Sequence, residues 1–181
     1  MNSFMHANHT IKMSTSDSLT IRPREISDVP VLIDILTDVY NLTKYPVDGP
    51  QSFPSRFTSP NALHSLVALH DGKLAGHAEI QDASKHPPVI TESLVPLSSY
   101  AAFVSLFVDP KIQGKGIGAK LVEESVAWGR ANGKRLVLIV LDKDVAATRM
   151  YEKFGWVKGK KYPYETKEGE KYGATMFMAP V

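Results

Sequence analysis

Two stretches of the chain are apolar on both faces. Phe103 to Val108 reads FVSLFV, broken only by Ser105, with Phe103 and Phe107 on one side and Val104, Leu106 and Val108 on the other. Leu136 to Leu141 reads LVLIVL. A strand that is greasy on both sides belongs in the middle of a sheet, so both runs predict buried strands. Asp109-Pro110 ends the first run, because Pro110 has no N–H to give a ladder.

Elsewhere the period changes. Leu121, Val122, Ser125 and Val126 share a helical face, and Asn132-Gly133 closes that helix. Val31, Leu32, Ile35, Leu36 and Val39 form a second buried stripe, started by Ser27 or Asp28 as the cap with Pro30 in the first turn. Ala146 to Phe154 is a short helix stopped by Gly155. Strands are expected at Leu19 to Pro23, in a hairpin from Ser65 to Gln81 turning at Asp71-Gly72, and in a last hairpin made of Val157 to Tyr164 and Tyr172 to Met178. Asn41 to His64 and Asp82 to Tyr100 are proline-broken and read as irregular, with Val89 to Thr91 as a candidate short strand. The class is mixed α/β, with a mostly antiparallel twisted sheet flanked by helices. One domain is expected over 18–181, preceded by a polar tail, Met1 to Asp17, that has no apolar leader segment; His6 and His9 lie in it.

The junction between the first central strand and its helix carries candidate chemistry. Gly114, Gly116 and Gly118 alternate there, with Lys115 between the first two. The first N–H groups of a helix lack intrahelical acceptors and carry the positive end of its dipole. Glycines let a phosphate approach that backbone closely. The segment Gln113, Gly114, Lys115, Gly116, Ile117, Gly118 and Ala119 is therefore a candidate phosphate or pyrophosphate cradle. It also fits the dinucleotide spacing G-x-G-x-x-G/A, with Asp142 as a ribose-binding acid. Against that reading, Asp109 to Gln113 separate the strand from the glycines, and too little chain follows Asp142 for a doubly wound sheet.

Gln113-x-x-Gly116-x-Gly118, after a strand ending Val-Asp-Pro, resembles the acetyl-CoA signature of the GCN5-related N-acetyltransferases, the GNAT family. Downstream, Ala147, Tyr151 and Gly155 fall on the family's second signature, with Trp156 replacing its aromatic and Asp144 standing where the family prefers asparagine. The resemblance runs from about Leu19 to the end of the chain. It implies the GNAT fold and acetyl-CoA as co-substrate. It places the pantetheine arm beside a splayed central strand near Phe107, Val108 and Asp144, with Tyr151 as the general acid that protonates the leaving thiolate. Where many members carry a base glutamate, this chain has Ala102. Glu79 shares a strand face with His77 and is the base candidate; a solvated face is the other reading of that pair, and water could serve as the base instead.

Composition narrows the field further. The chain has no cysteine, which excludes disulfides, thiolate metal sites and a cysteine nucleophile. A net charge of +2 is no nucleic-acid signal, and no apolar run approaches a membrane span. The expected protein is a cytoplasmic N-acetyltransferase without a metal, acting by direct attack of a primary amine on the thioester. The amine would be a small molecule: an amino acid, polyamine or antibiotic. By the same analogy the segment Asn41 to His64 is assigned to substrate binding, with a surface wrap as the other reading, and Asp82 to Tyr100 could form a lip over the acceptor site. Tyr40 and Tyr45 border that side or pack at its edge, and Tyr162, Tyr164 and Tyr172 either line the acceptor pocket or pack the sheet edge. A homodimer is left open. The alternatives are an NAD(P)-binding oxidoreductase and a non-catalytic CoA-binding sensor.

Overall fold

The computed structural model describes residues 18–166 and 168–181; the expected tail, with His6 and His9, lies outside them. The strands are β1 (Leu19–Pro23), β2 (Ala62–His70), β3 (Lys73–Asp82), β4 (Tyr100–Val108), β5 (Arg135–Leu141), β6 (Val157–Glu165) and β7 (Lys171–Met178). The helices are α1 (Val29–Thr43), α2 (Phe53–Arg56), α3 (Pro88–Thr91), α4 (Ile117–Ala131) and α5 (Val145–Lys153). One seven-stranded sheet runs β1-β2-β3-β4-β5-β7-β6. Every neighbouring pair is antiparallel except β4 with β5. The mixed sheet agrees with the expected class and is not the parallel sheet a dinucleotide fold requires.

Helices cover both faces. On one, α1 buries Leu32, Ile35, Leu36 and Val39 with Phe53, Phe57, Val67 and Phe107. Each such side chain contributes about 1.5–3 kcal/mol relative to exposure. Val31, expected in this stripe, is 46% exposed. Asp28 stands at the cap of α1, but its carboxylate does not cap that helix. It accepts from Glu25 N and pairs with both terminal nitrogens of Arg22 at 2.8 Å. On the other face, α4 and α5 pack Ile117, Leu121, Val122 and Tyr151 with Phe103, Leu136, Leu138 and Phe177. A Cβ on Gly76 would lie 2.9 Å from Phe107 O and 3.1 Å from Leu121 Cδ1, so this glycine lets α4 settle directly on β3.

Four local expectations change. The proline-rich segment folds into a 3-10 turn, Pro50–Ser52, and α2, whose Phe53 and Phe57 are buried. Val89 to Thr91 belong to helix α3, not a strand. His77 and Glu79 are both 0% exposed, so their face is core and not solvated. The alternation along β4 also breaks. Register with β3 runs His77↔Phe107 and then Glu79↔Val104, so Ser105 and Leu106 together oppose a single residue, Ala78. Ser105 has φ 54°. The extra residue inverts the faces: Phe103 joins Leu106 and Val108 on the α4 side, while Phe107 turns to the α1 side. The two phenylalanines therefore lie on opposite faces, because the bulge shifts the side-chain period by one.

Candidate active site

The parallel pairing of β4 with β5 stops at Ala102↔Val137, although both strands continue. Beyond that point they diverge, and on its β5 side β4 has no strand partner among the described residues. A cleft of 770 Å³ opens in the gap. Its walls are Phe103–Val108 of β4 and Leu138–Leu141 of β5, and Gln113, Asp144, Ala147 and Tyr151 also line it. Unpaired strand groups in a largely apolar slot suit an extended chain carrying amide groups, which can pair with β4 as a strand would.

The glycine loop lies at the start of α4. Gly114 and Gly116 have φ of 83° and 74°, conformations that favour glycine, and no atom lies within 4 Å of a Cβ built on either. Gly116 is the N-cap, and its carbonyl accepts the first helical bond from Lys120 N at 3.0 Å. The N–H groups of Ile117, Gly118 and Ala119 precede that bond and have no helical acceptor. The Ile117 side chain is core, so only its backbone can serve a ligand. Asp109 secures the turn before the loop by accepting from Lys111 N at 2.9 Å.

The remaining expected residues divide. Phe107, Val108, Gln113, Asp144 and Tyr151 line the cleft. Asp144 caps α5 by position and pairs with Lys143 Nζ at 2.9 Å. Tyr151 is buried against Trp156 and Phe177, and that burial, then the neighbouring Tyr45 phenol, pushes its own phenol well above the usual tyrosine range. Glu79 does not line the cleft. Its carboxylate accepts from Ser65 Oγ at 2.9 Å and Gln81 Nε2 at 2.7 Å, with Arg24 Nη1 3.7 Å away. Asp142 accepts from Thr175 Oγ1 at 3.0 Å, tying the end of β5 to β7.

The two segments expected on the acceptor side, 41–64 and 82–100, contribute to a second, polar chamber whose individual residues sequence reasoning did not name. A cavity of 310 Å³ lined by Asp48, Ser52, Arg56, Gln81, His86 and Ser105, among others, shares the last of these and the Asp48, Arg56 and His86 side chains with the cleft. Arg56 Nη2 pairs with Asp48 Oδ2 at 2.7 Å. Tyr45, Tyr162 and Tyr164 line the cleft, whereas Tyr40 packs edge-on against Phe53 and Tyr172 donates to Glu170. Burial raises the Tyr45 and Tyr164 phenols and pushes Tyr162 up to about 12. The polar Ser105 inside a greasy run was the available signal.

A splayed pair of central strands and a glycine-capped helix beside it are what the resemblance implied; the bulge at the fork was not foreseen. The acetyltransferase (GNAT) family matches over residues 32–156. The chain belongs to the GNAT family. Over 75 residues, 41% of its length, this GNAT chain is 35% identical to the mycothiol acetyltransferase of Nocardia farcinica, and it spans 20% of that relative's length. Its fold is similar to that of the ribosomal-protein-S18-alanine N-acetyltransferase from Escherichia coli, with a TM-score of 0.67 at 23% identity over 91% of this chain and 94% of that one. It is also similar to a GNAT family acetyltransferase from Brucella melitensis in complex with acetyl-CoA, with a TM-score of 0.58 at 20% identity over 87% and 96% of the two chains. Among the described residues no helix is long and apolar enough to cross a membrane.

Proposed function

We propose that this GNAT chain transfers the acetyl group of acetyl-CoA to the primary amine of a small, hydrophilic molecule. The observation that carries the reading is the fork between β4 and β5, whose cleft takes in Gln113 at the start of the loop and shares Asp48, Arg56, His86 and Ser105 with the polar chamber. The loop 113–119 takes the pyrophosphate on backbone N–H groups, and the pantetheine arm lies along β4. The thioester then reaches the bulge at Ser105, where backbone groups near Phe107 and Val108 polarise its carbonyl. Asp144, in place of the family's asparagine, accepts hydrogen bonds from the arm and cannot donate them while ionised. Tyr151 donates its phenolic proton to the departing sulfur.

The acceptor enters from the side of the smaller cavity. Hydroxyls, an amide and the Asp48–Arg56 pair line that space, which favours a polar molecule of modest size over an apolar amine. Arg56→Ala is expected to raise the KM for the acceptor about tenfold and to leave acetyl-CoA affinity unchanged, since Arg56 adjoins the acceptor chamber and not the glycine loop. An equal loss of acetyl-CoA binding would move Arg56 out of the acceptor site.

Calorimetric titration with acetyl-CoA, with NADH and NADPH as controls, tests the reading directly. Acetyl-CoA alone should bind, and Gly116→Trp should abolish that binding. The substitution forces a side chain into φ 74° at the helix cap and fills the space above the loop. An amine screen read by thiol release then separates an enzyme from a sensor. Preference for a nicotinamide cofactor would overturn the reading, and acetyl-CoA binding without turnover of any amine would leave a sensor.

A further inference from the structure

Glu79, Gln81 and His86 form a hydrogen-bonded chain that ends at the junction of the two cavities. Gln81 Nε2 donates to Glu79 Oε1 at 2.7 Å. A carboxylate only accepts, so this bond fixes the orientation of the amide and turns Gln81 Oε1 toward His86, whose Nε2 lies 3.1 Å away. The amide oxygen also only accepts, so His86 Nε2 carries the hydrogen. In a neutral ring the lone pair is then on Nδ1, which makes no hydrogen bond within the described protein. His86 lines both the cleft and the polar chamber, as do Val104 and Ser105 at the bulge.

We infer that His86 is the general base of the transfer, and that Glu79 and Gln81 are positioning residues that hold its Nδ1 ready to accept a proton. The inference rests on the acetyltransferase reading above. Glu79, the base candidate on sequence grounds, keeps a catalytic connection by this route although its own carboxylate is engaged by Ser65, Gln81 and Arg24. The chemistry balances. The neutral amine nitrogen forms the C–N bond, the C–S bond breaks, and its electron pair leaves on sulfur. As the C–N bond forms, the nitrogen becomes cationic and far more acidic than a free alkylammonium. His86 Nδ1 takes that proton while Tyr151 supplies one to sulfur, and solvent restores both groups.

Burial keeps His86 neutral by holding its pKa below the usual 6.5, against the opposing pull of Asp82. The charged groups around it are Asp82, the Asp48–Arg56 pair across the chamber, and Glu79 with Arg24 behind Gln81. A weak base suffices here because the proton is removed only after attack has begun.

Two measurements test the inference. Nitrogen–proton correlation spectra of the wild-type imidazoles at neutral pH should show His86 protonated on Nε2 and bare on Nδ1, and a ring protonated on Nδ1 would overturn the proposal without any activity assay. With an amine found by the thiol-release screen, log kcat/KM of the wild type should climb with slope two below the His86 pKa and slope one from there to the amine pKa of about 10, because both groups must be deprotonated. His86→Ala should lower kcat/KM about 100-fold, show slope one throughout, and regain activity with added imidazole. Glu79→Gln should weaken turnover and disturb the His86 tautomer signal while acetyl-CoA still binds. An unchanged profile in His86→Ala overturns the base and leaves the transferase standing. A wild type that turns over no amine overturns the transferase reading itself.

Discussion

Replacing Tyr151 by phenylalanine should lower kcat on the order of 10³-fold while the chain stays folded and binds acetyl-CoA as before. The ring sits 5.3 Å from Trp156 and 6.2 Å from Phe177, centroid to centroid, and phenylalanine preserves both contacts. What the substitution removes is the only proton Tyr151 can give. A thiolate with a pKa of about 8.5 leaves poorly from a dry cleft unless a proton meets it. Burial and the adjacent Tyr45 hold the Tyr151 phenol above its usual value, so it stays protonated throughout the working range and imposes no alkaline limb below pH 10. Undiminished kcat in Tyr151→Phe, or an alkaline limb near pH 8 that this variant removes, would end the assignment of Tyr151 as the acid.

Those parts of the site built from contiguous sequence were legible in it. The loop 113–119 and the segment from Asp144 to Gly155 each lie within a few residues of the end of a central strand, so glycine spacing, proline and helical period were enough to locate them. The parts that depend on pairing between distant residues were not. β7 inserts between β5 and β6, and nothing in the alternation of Tyr172 to Met178 says which strand it will meet. The bulge was marked only by a serine, and Phe103 and Phe107 looked coplanar because strict alternation assumes a regular strand. For Glu79 and His77 the sequence left a solvated face open beside a base candidate, because polarity usually means exposure. Here each is buried with a specific partner, Gln81 or Ser105, and only the tertiary structure brings those partners together. His86 lay in a segment whose prolines predicted no regular element, so its place at the cavity junction had no local signature.

His77 supplies the second large effect, and it concerns stability. The imidazole is packed between Phe57 and Phe107, with ring centroids 5.2 and 5.4 Å away. Its Nδ1–H donates to the carbonyl of Ser105 at 3.1 Å, so the buried ring ties β3 to the bulge in β4 that shapes the cleft. Its Nε2 is buried with no hydrogen-bond partner. A proton there would place a charge in the core, and burial pushes the His77 pKa down from 6.5 to about 3. The folded-state value is depressed, so between pH 6.5 and about 3 the unfolded chain binds a proton that the native chain does not. Stability is complete above pH 6.5 and falls through that window as the pH drops, by an amount on the order of 5 kcal/mol across the whole of it. That is a large share of the 5–15 kcal/mol typical of a domain, so the stability is expected to fall steeply as the pH drops toward 3. Asp28, whose pKa is lowered first by its hydrogen bonds from Arg22, loses its contribution as the pH falls below the usual 3.8, and so steepens the acid end of the same curve. His77→Leu is expected to lower stability at pH 7, because the Ser105 carbonyl loses its donor, and to flatten the pH dependence below 6.5 by about one proton. Denaturant unfolding at several pH values measures both quantities. A variant with the same slope as the wild type would show that another group carries the acid sensitivity. One that also loses acetyl-CoA binding at pH 7 while still folded would show that the ring holds the bulge in the shape the cleft requires.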